Sequence, residues 1–174
     1  CQTVLASAEI EYEDRKDPSI YVRFPLTKEA KQFLAPDYAD KDISLLIWTT
    51  TPWTLPLNRA VILKPNAEYA VVRLKDAYVI VAASLVESLA ALMESNAEVL
   101  TTFNTSKIEG HKRIYAQHPF IDGLTVPVLL DSSVVVSDGT ACVHSAPGAG
   151  PEDYEIGVKN GLEIYSPVGP DGRY

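Results

Sequence analysis

The alternation of apolar and polar positions along the chain predicts many strands and few helices. Residues 19–24 alternate with a period of two, which is typical of a half-buried strand. Residues 43–48 form an apolar run that is too short for an ordinary helix, so we interpret it as a buried strand. The other predicted strands span residues 8–12, 60–63, 69–74, 78–82, 125–130, 134–136 and 140–144.

Helical periodicity occurs in only three places. Thr27 is a suitable N-cap for a short helix over residues 28–34. Leucines recur at helical spacing within residues 84–94. Pro151 fits the first position of a third helix, and Gly161 ends that helix after residue 160.

The order of these elements favours an α+β fold. Strands do not alternate regularly with helices, so we expect a β-barrel-like sheet with a few peripheral helices. The strands at 60–63, 69–74 and 78–82 are predicted to form a meander, and residues 99–121 are predicted to be mixed and turn-rich.

Composition and charge narrow the classes of protein. The chain has 174 residues with 15 Lys and Arg against 23 Asp and Glu, a net charge of −8 that argues against wrapping long nucleic acid but allows binding of one nucleotide end. Residues 1–174 are long enough for one globular domain, and we expect no membrane span and no signal peptide. Two cysteines without zinc spacing favour a reducing compartment and no metal site.

One candidate site is the threonine segment, residues 48–59, which leaves a buried strand. It crowds four hydroxyls, two indoles and an amide into a loop broken by prolines. Hydroxyls and freed backbone N–H groups can hold a water, a sugar hydroxyl or a carbonyl oxygen. The alternative is an ordinary strand exit, in which Thr49 and Thr51 serve only as strand formers.

A second candidate site spans residues 139–154, where a strand leads into a glycine-rich turn and a helix start. His144 and Asp153 could face one pocket, in which the carboxylate binds an ammonium group and the neutral imidazole forms a hydrogen bond or a wall. Each also has a structural interpretation, because Asp153 is a common first-turn residue and His144 a common buried one. The turn matches neither a P-loop nor a dinucleotide fingerprint.

Together these two segments resemble the editing domain inserted in the isoleucyl-tRNA synthetases. The valyl and leucyl branches carry Thr-Thr-Arg-Pro followed by an acidic residue, whereas here Thr51 replaces that arginine and Trp53 follows the proline. The resemblance covers essentially the whole chain. The motifs of the aminoacylation site, His-Ile-Gly-His and Lys-Met-Ser-Lys-Ser, are absent, so the resemblance implies a fragment of a larger synthetase that does not activate amino acids.

The resemblance implies hydrolysis of valine mischarged onto isoleucine tRNA, with valyl-adenylate as a second target, and exclusion of isoleucine by size. Asp153 matches the aspartate that binds the substrate α-ammonium group. Thr51 and His144 match the walls of the side-chain pocket. Thr49 and Thr50 match residues that contact the terminal adenosine and place a water, and Asp153 joins these two in the predicted catalytic set.

The remaining implied roles concern binding and partners. Asn58 occupies the family's asparagine position. Trp48, Trp53 or a tyrosine could stack on the single-stranded tRNA end. The resemblance implies a cytoplasmic monomer that contacts the tRNA 3′ end, the valine moiety and the rest of the synthetase but no membrane; an organellar location stays open. It implies no cofactor in this domain, since ATP and Mg would serve the catalytic domain. A non-catalytic module that binds the charged tRNA end or an amino acid is the alternative.

Four positions depart from the family pattern. Leu57 replaces a common alanine, Ala141 a common glycine and Ser145 a frequent threonine, and Ala149 stands where many bacterial members have histidine. The departure at Ala149 removes an imidazole from the predicted site.

Overall fold

A computed structural model describes residues 11, 13–14, 18–110 and 114–173. The strand predicted for residues 8–12 lies outside the described residues except for Glu11, and His111 lies outside them as well. Within these ranges, no helix is long and apolar enough to cross a bilayer.

In the described part of the chain, nine strands form two sheets. The larger sheet has the order β1-β2-β5-β4-β6, in which β2 and β5 are parallel and the other neighbours antiparallel. The smaller sheet has the order β7-β8-β3-β9, in which only β3 and β8 are parallel. The strands are β1 (Ile20–Pro25), β2 (Ile43–Thr49), β3 (Ala60–Leu63), β4 (Glu68–Leu74), β5 (Ala77–Ala82), β6 (Ala97–Asn104), β7 (Tyr115–Gln117), β8 (Thr125–Leu130) and β9 (Cys142–Ser145).

The two sheets meet along both sides of the main core. Leu26, just after β1, forms an isolated bridge with Ala116 of β7. On the other side, the Ala82 N–H at the end of β5 donates to the Thr140 carbonyl, 3.0 Å away. The predicted α+β class is confirmed, and the described strands form a barrel-like pair of sheets rather than a closed barrel.

Burial explains the two-layer arrangement. The main core lies between the sheets and includes Phe24, Ile47 and Leu63, which are all fully buried. A second apolar cluster covers the outer face of the large sheet, where Leu46 and Val79 pack near the helix α2 (Val86–Leu92). β2 is therefore buried on both faces, which explains its unbroken apolar sequence.

The helices follow their local signals closely. α1 (Lys28–Leu34) is capped by Thr27, whose hydroxyl accepts from the Ala30 N–H at 3.3 Å. α3 (Pro151–Asn160) ends at Gly161, whose left-handed φ of 65° suits glycine. The helix predicted for residues 84–94 is shorter than expected, because residues Ala83–Leu85 form a separate 3₁₀ turn ahead of α2.

Two other predictions are wrong, and the region predicted to be mixed and turn-rich contains more strand than expected. The meander is broken, because β3 joins the smaller sheet while β4 and β5 pair in the larger one. The region predicted as turn-rich contains β6, a mostly exposed edge strand whose register shifts opposite Val71/Val72 and hides the expected alternation. Residues 134–136 form no strand.

Candidate functional site

The threonine segment turns sharply at the end of β2. Its residues Pro52–Leu57 form a 3₁₀ helix rather than the irregular loop that the prolines predicted. Before this helix, the Thr49 hydroxyl accepts from the Thr51 N–H at 3.0 Å and lies 3.2 Å from the Thr51 hydroxyl. Thr49 is buried, whereas Thr50 and Thr51 are exposed. The segment therefore presents Thr50 and Thr51 at the surface, on a backbone that the Thr49 hydroxyl holds in place.

His144 reaches this segment from the other end of the chain. β9 pairs with β3 so that His144 lies opposite Val61. The buried imidazole is held from both sides, with Nε2 2.8 Å from the Thr54 hydroxyl and Nδ1 2.9 Å from Asn58 Nδ2. The sheet pairing thus brings together residues about 90 positions apart.

The surrounding hydrogen bonds determine which imidazole nitrogen carries the proton. The Ala60 carbonyl oxygen can only accept, so the amide nitrogen of Asn58, at 2.8 Å, must face it. The same nitrogen donates to Nδ1 of His144, and therefore Nε2 carries the proton and donates to Thr54. The Thr54 hydroxyl donates in turn to the Thr51 carbonyl at 2.8 Å. Asn58 thereby sets the tautomer of His144.

Burial keeps this imidazole neutral. It lowers the pKa of His144 to about 4; the nearby Asp153 carboxylate opposes the shift and His118 adds to it. A neutral ring with both nitrogens bonded cannot take up a proton from substrate at neutral pH. It suits the predicted role of a wall.

We expect stability to fall on acidification because of His144. Between pH 6.5 and about 4, the unfolded chain binds a proton at this ring and the folded chain does not. The free energy of unfolding should therefore decrease by up to about 3 kcal/mol as the pH falls through that window. Above pH 6.5 the ring contributes no pH dependence. Urea unfolding from pH 4 to 7.5, compared with His144→Gln, measures this contribution. NMR titration of the ring near pH 6.5 would contradict it.

Thr54 is a site residue that the sequence does not distinguish from the other three threonines of its segment. No neighbouring residue indicates that its hydrogen-bond partner, His144, lies 90 residues away. Its bonds to Thr51 and His144 join the two candidate segments directly.

Replacing Thr54 tests this link. Thr54→Val keeps the side-chain shape but leaves the buried Nε2–H of His144 without its acceptor, and we expect it to lower the free energy of unfolding by about 1–3 kcal/mol. Thr54→Ser retains the hydroxyl and should lose less. Denaturant unfolding of the three proteins measures the difference, and equal midpoints for Val and wild type would show that the bond is unimportant.

Asp153 lies in the first turn of α3, at the third helical position. One carboxylate oxygen, Oδ2, accepts from the Ala146 N–H at 2.9 Å. This bond fixes the carboxylate against the turn between β9 and α3. The half-buried group retains acceptor capacity for a ligand, since a carboxylate can accept several hydrogen bonds.

A cleft of about 270 Å³ lies beside Asp153. Trp48 lines the same cleft, and Gly139 packs against its indole so closely that a Cβ there would lie 2.9 Å from Cε3. Thr49, Thr50, Thr51, Asn58 and His144 are not among the lining residues. Of the predicted site residues, Trp48 and Asp153 therefore line the cleft. Four others are joined by hydrogen bonds in an adjacent network, namely Thr49, Thr51, Asn58 and His144. Thr50 is exposed beside this network.

His118 does not enlarge the site. Its Nε2 donates to the Leu55 carbonyl at 3.0 Å, and its Nδ1 accepts from the Phe120 and Ile121 N–H groups. His118 therefore holds the 3₁₀ helix Pro52–Leu57 in place through its bond to Leu55. Within the described part of the chain, no three His, Cys, Asp or Glu side chains group closely enough to hold a metal ion.

A glycine turn, residues 146–150, connects β9 to Asp153 and is crossed by a later segment. We call this segment, residues 162–166, the strap. The strap passes so close to Gly148 that a Cβ on this glycine would lie 1.9 Å from the Tyr165 carbonyl oxygen. Gly157 of α3 is also crowded, because a Cβ there would lie 2.7 Å from Pro147 Cβ and 3.0 Å from Ile164 Cδ1. Two glycines thus allow the turn, the helix and the strap to pack together.

Ala141, noted above as replacing a glycine, adopts a left-handed backbone with φ of 56°. That conformation favours glycine, the residue that the resemblance predicts at this position. The buried Tyr69 hydroxyl donates to the Ala141 carbonyl at 2.5 Å and holds this backbone in place.

Comparison with known proteins identifies the family. The chain is 49% identical to the isoleucine–tRNA ligase of Nitratidesulfovibrio vulgaris (strain Miyazaki F) and 46% identical to that of Syntrophotalea carbinolica, over 100% of this chain and 18% of each relative. The chain thus spans about a fifth of the length of these relatives. No protein-family model matches it.

Solved structures share the fold at low sequence identity. The crystal structure of GlLeuRS-CP1 matches with a TM-score of 0.60 and 18% identity, over 83% of this chain and 66% of that one. The P. knowlesi cytosolic leucyl-tRNA synthetase editing domain matches with a TM-score of 0.59 and 14% identity, over 84% and 65%. The chain therefore matches a segment of the isoleucine–tRNA ligases in sequence and has the fold of the synthetase editing domains.

Proposed function

We propose that this chain is a hydrolytic editing site that removes valine from isoleucine tRNA and rejects isoleucine by size. The observation that carries the proposal is the assembly of two distant segments into one site, in which Thr54 and Asn58 hold His144 and the cleft beside them contains Asp153. The family and the fold support a proofreading role.

The chemistry of amino-acid selection explains why such a site is needed. A pocket that accepts isoleucine can exclude valine by only about 1–3 kcal/mol, a limit for which the isoleucyl enzymes are the standard example. A second pocket that admits valine and has no room for one more methylene corrects the error. Exclusion by clash is stronger than exclusion by a missing contact, because packed walls do not yield easily.

Asp153 would bind the substrate α-ammonium group. Its carboxylate is fixed by the Ala146 N–H and borders the cleft, so a cationic group can approach the remaining acceptor sites. A charge-assisted contact of this kind selects the amino-acid end of the substrate and determines its orientation.

Thr51 and His144, which lie beside the cleft and not in its lining, would form the size filter for a side chain that extends from Asp153 toward the threonine segment. His144 is neutral, buried and held at both nitrogens, which makes it a rigid wall. The Thr51 hydroxyl is hydrogen-bonded to the Thr49 hydroxyl, and the Thr51 carbonyl accepts from the Thr54 hydroxyl. A rigid filter is required, since a pocket that expanded by a methylene would also destroy the correct product.

Hydrolysis would proceed by direct attack of water on the ester carbonyl. Cys142 is a poor nucleophile, because complete burial raises the pKa of its thiol far above the ordinary value. Thr49 and Thr50 would orient the water and contact the terminal adenosine, and backbone N–H groups would stabilise the developing oxyanion. The terminal ribose hydroxyl of the substrate would assist.

Other parts of the proposal concern partners. The tRNA body would contact the rest of the synthetase, where ATP and Mg would support aminoacylation, and this segment would bind only the tRNA 3′ end. Trp48 lines the cleft, so its indole is available for stacking on a terminal base.

Deacylation of two esters tests the proposed function. Valyl and isoleucyl esters of the same isoleucine tRNA are incubated with the chain, and we expect rapid loss of the valyl ester with the isoleucyl ester retained. Equal hydrolysis of both would overturn the size filter. Binding of a non-hydrolysable valyl-adenosine analogue without hydrolysis of either ester would favour the alternative, a non-catalytic binding module.

A further inference from the structure

Arg59, the last residue of the threonine segment, makes more contacts than a surface ion pair requires. Its Nε donates to Glu163 of the strap at 2.9 Å, and its guanidinium lies over the Tyr165 ring with Cζ 4.7 Å from the centroid. Nη1 donates to the Asn58 carbonyl at 2.8 Å. The Arg59 side chain is only 13% exposed although that of Glu163 is 67% exposed, so the arginine is built into the fold while its partner lies at the surface.

The backbone of Arg59 also contacts the second candidate segment. Its N–H donates to the Ser145 carbonyl at 2.9 Å, at the end of β9 and next to His144. One residue therefore touches the three parts that meet around the site: the threonine segment through Asn58, the end of β9 through Ser145, and the strap through Glu163 and Tyr165.

The strap in turn restrains the turn that presents Asp153. The Tyr165 carbonyl packs directly on Gly148, in the middle of the glycine turn. The first residue of that turn, Ala146, donates the N–H that binds Asp153 Oδ2. The contacts thus run without interruption from Arg59 to Tyr165, to Gly148, and through Ala146 to the carboxylate.

We propose that Arg59 is a positioning residue for the editing reaction. By holding the strap down on the glycine turn, it fixes the Asp153 carboxylate relative to the threonine segment. This inference rests on the proposed function for its kinetic consequence, and on contacts of the described residues alone for its structural one. A small displacement of Asp153 would separate the ammonium anchor from the water-binding threonines.

The test compares charge and shape variants of Arg59 with a matched control. Arg59→Gln removes the ion pair with Glu163 and the planar cation over Tyr165, whereas Arg59→Lys keeps the charge. Arg73→Gln is the control, because Arg73 forms the same kind of ion pair with Glu98, at 2.6 Å, on β4 and β6 away from the site. All proteins are assayed well below their melting temperatures.

We expect Arg59→Gln to lower kcat for valyl-tRNA hydrolysis by about 10- to 100-fold, with KM changed less than about threefold, because misplacement of a catalytic constellation mainly affects the chemical step. Arg59→Lys should recover part of kcat. Adding Tyr165→Leu to Arg59→Gln should cause little further loss, since both act through the strap.

A second measurement does not depend on activity. The backbone N–H of Ala146 reports on its bond to Asp153, and we expect its NMR shift and exchange protection to change in Arg59→Gln and not in Arg73→Gln. An unchanged kcat together with an unchanged Ala146 signal would overturn the proposal. Wild-type protein that hydrolyses no ester would defeat the proposed function, while the Ala146 comparison would still decide whether Arg59 positions Asp153.

Discussion

Replacing Asp153 by asparagine is expected to lower valyl-tRNA hydrolysis by about 100- to 1000-fold, which corresponds to about 3–4 kcal/mol of lost transition-state stabilisation. The reason is electrostatic. Asparagine has nearly the shape of aspartate and retains an oxygen for the Ala146 N–H, so the turn should keep its structure. The variant loses only the negative charge that we propose pairs with the substrate ammonium.

The control for this prediction is Glu155→Gln. Glu155 is exposed on the same helix, and the same charge is removed there without a link to the cleft. Steady-state deacylation of the valyl ester, with thermal unfolding in parallel, separates the two effects. If Asp153→Asn matched Glu155→Gln in rate, the carboxylate would have no role as the ammonium anchor.

Replacing Gly148 by alanine is expected to cause the largest loss of stability, about 3 kcal/mol, or a melting temperature lower by about 6–12 °C. The added Cβ would lie 1.9 Å from the Tyr165 carbonyl and 2.5 Å from its carbon, so the backbone of the strap would have to move. A backbone atom cannot rotate away as a flexible side chain can. Loss of editing should accompany the shift, because the strap restrains the glycine turn.

Gly150→Ala is the matched control two residues later. No heavy atom lies within 4 Å of a Cβ on Gly150, and its backbone is extended with φ of −154°. As the residue before the first helical turn of α3, it should cost no more than about 1 kcal/mol on change to alanine. Calorimetry of both variants tests the argument, and equal melting temperatures would show that the strap yields easily.

The fold could be predicted from sequence where the signals are local. Thr27 and Gly161 mark the ends of two helices whose bounds match the structure, because capping and left-handed backbone depend on neighbouring residues alone. Sheet partners depend on distant residues. For this reason the sequence predicts β3 as part of a meander, although it pairs with β8 and β9. The sequence of β6, an exposed edge strand, lacks the alternation of apolar and polar residues that would predict it.

The candidate site shows the same division. Family resemblance pointed to Thr51, His144 and Asp153 as residue types at particular positions, but it did not indicate how they are held. Thr54 and Arg59 act through partners more than 80 residues away along the chain, and a threonine or an arginine has no pattern of its own that identifies such a partner. Supporting contacts of this kind become visible only in three dimensions.

The pairing of β3 with β9 also has a consequence for the order of folding. The two halves of the site are separated by residues 60–138, nearly half of the chain, and closing such a long loop costs entropy that is recovered only when both strands are in place. In a chain made from its N-terminus, β1 to β6 can pair while β9 is still unmade. Within this segment the site should therefore form after the larger sheet, and a nascent chain that ends before residue 153 should have that sheet but no editing activity.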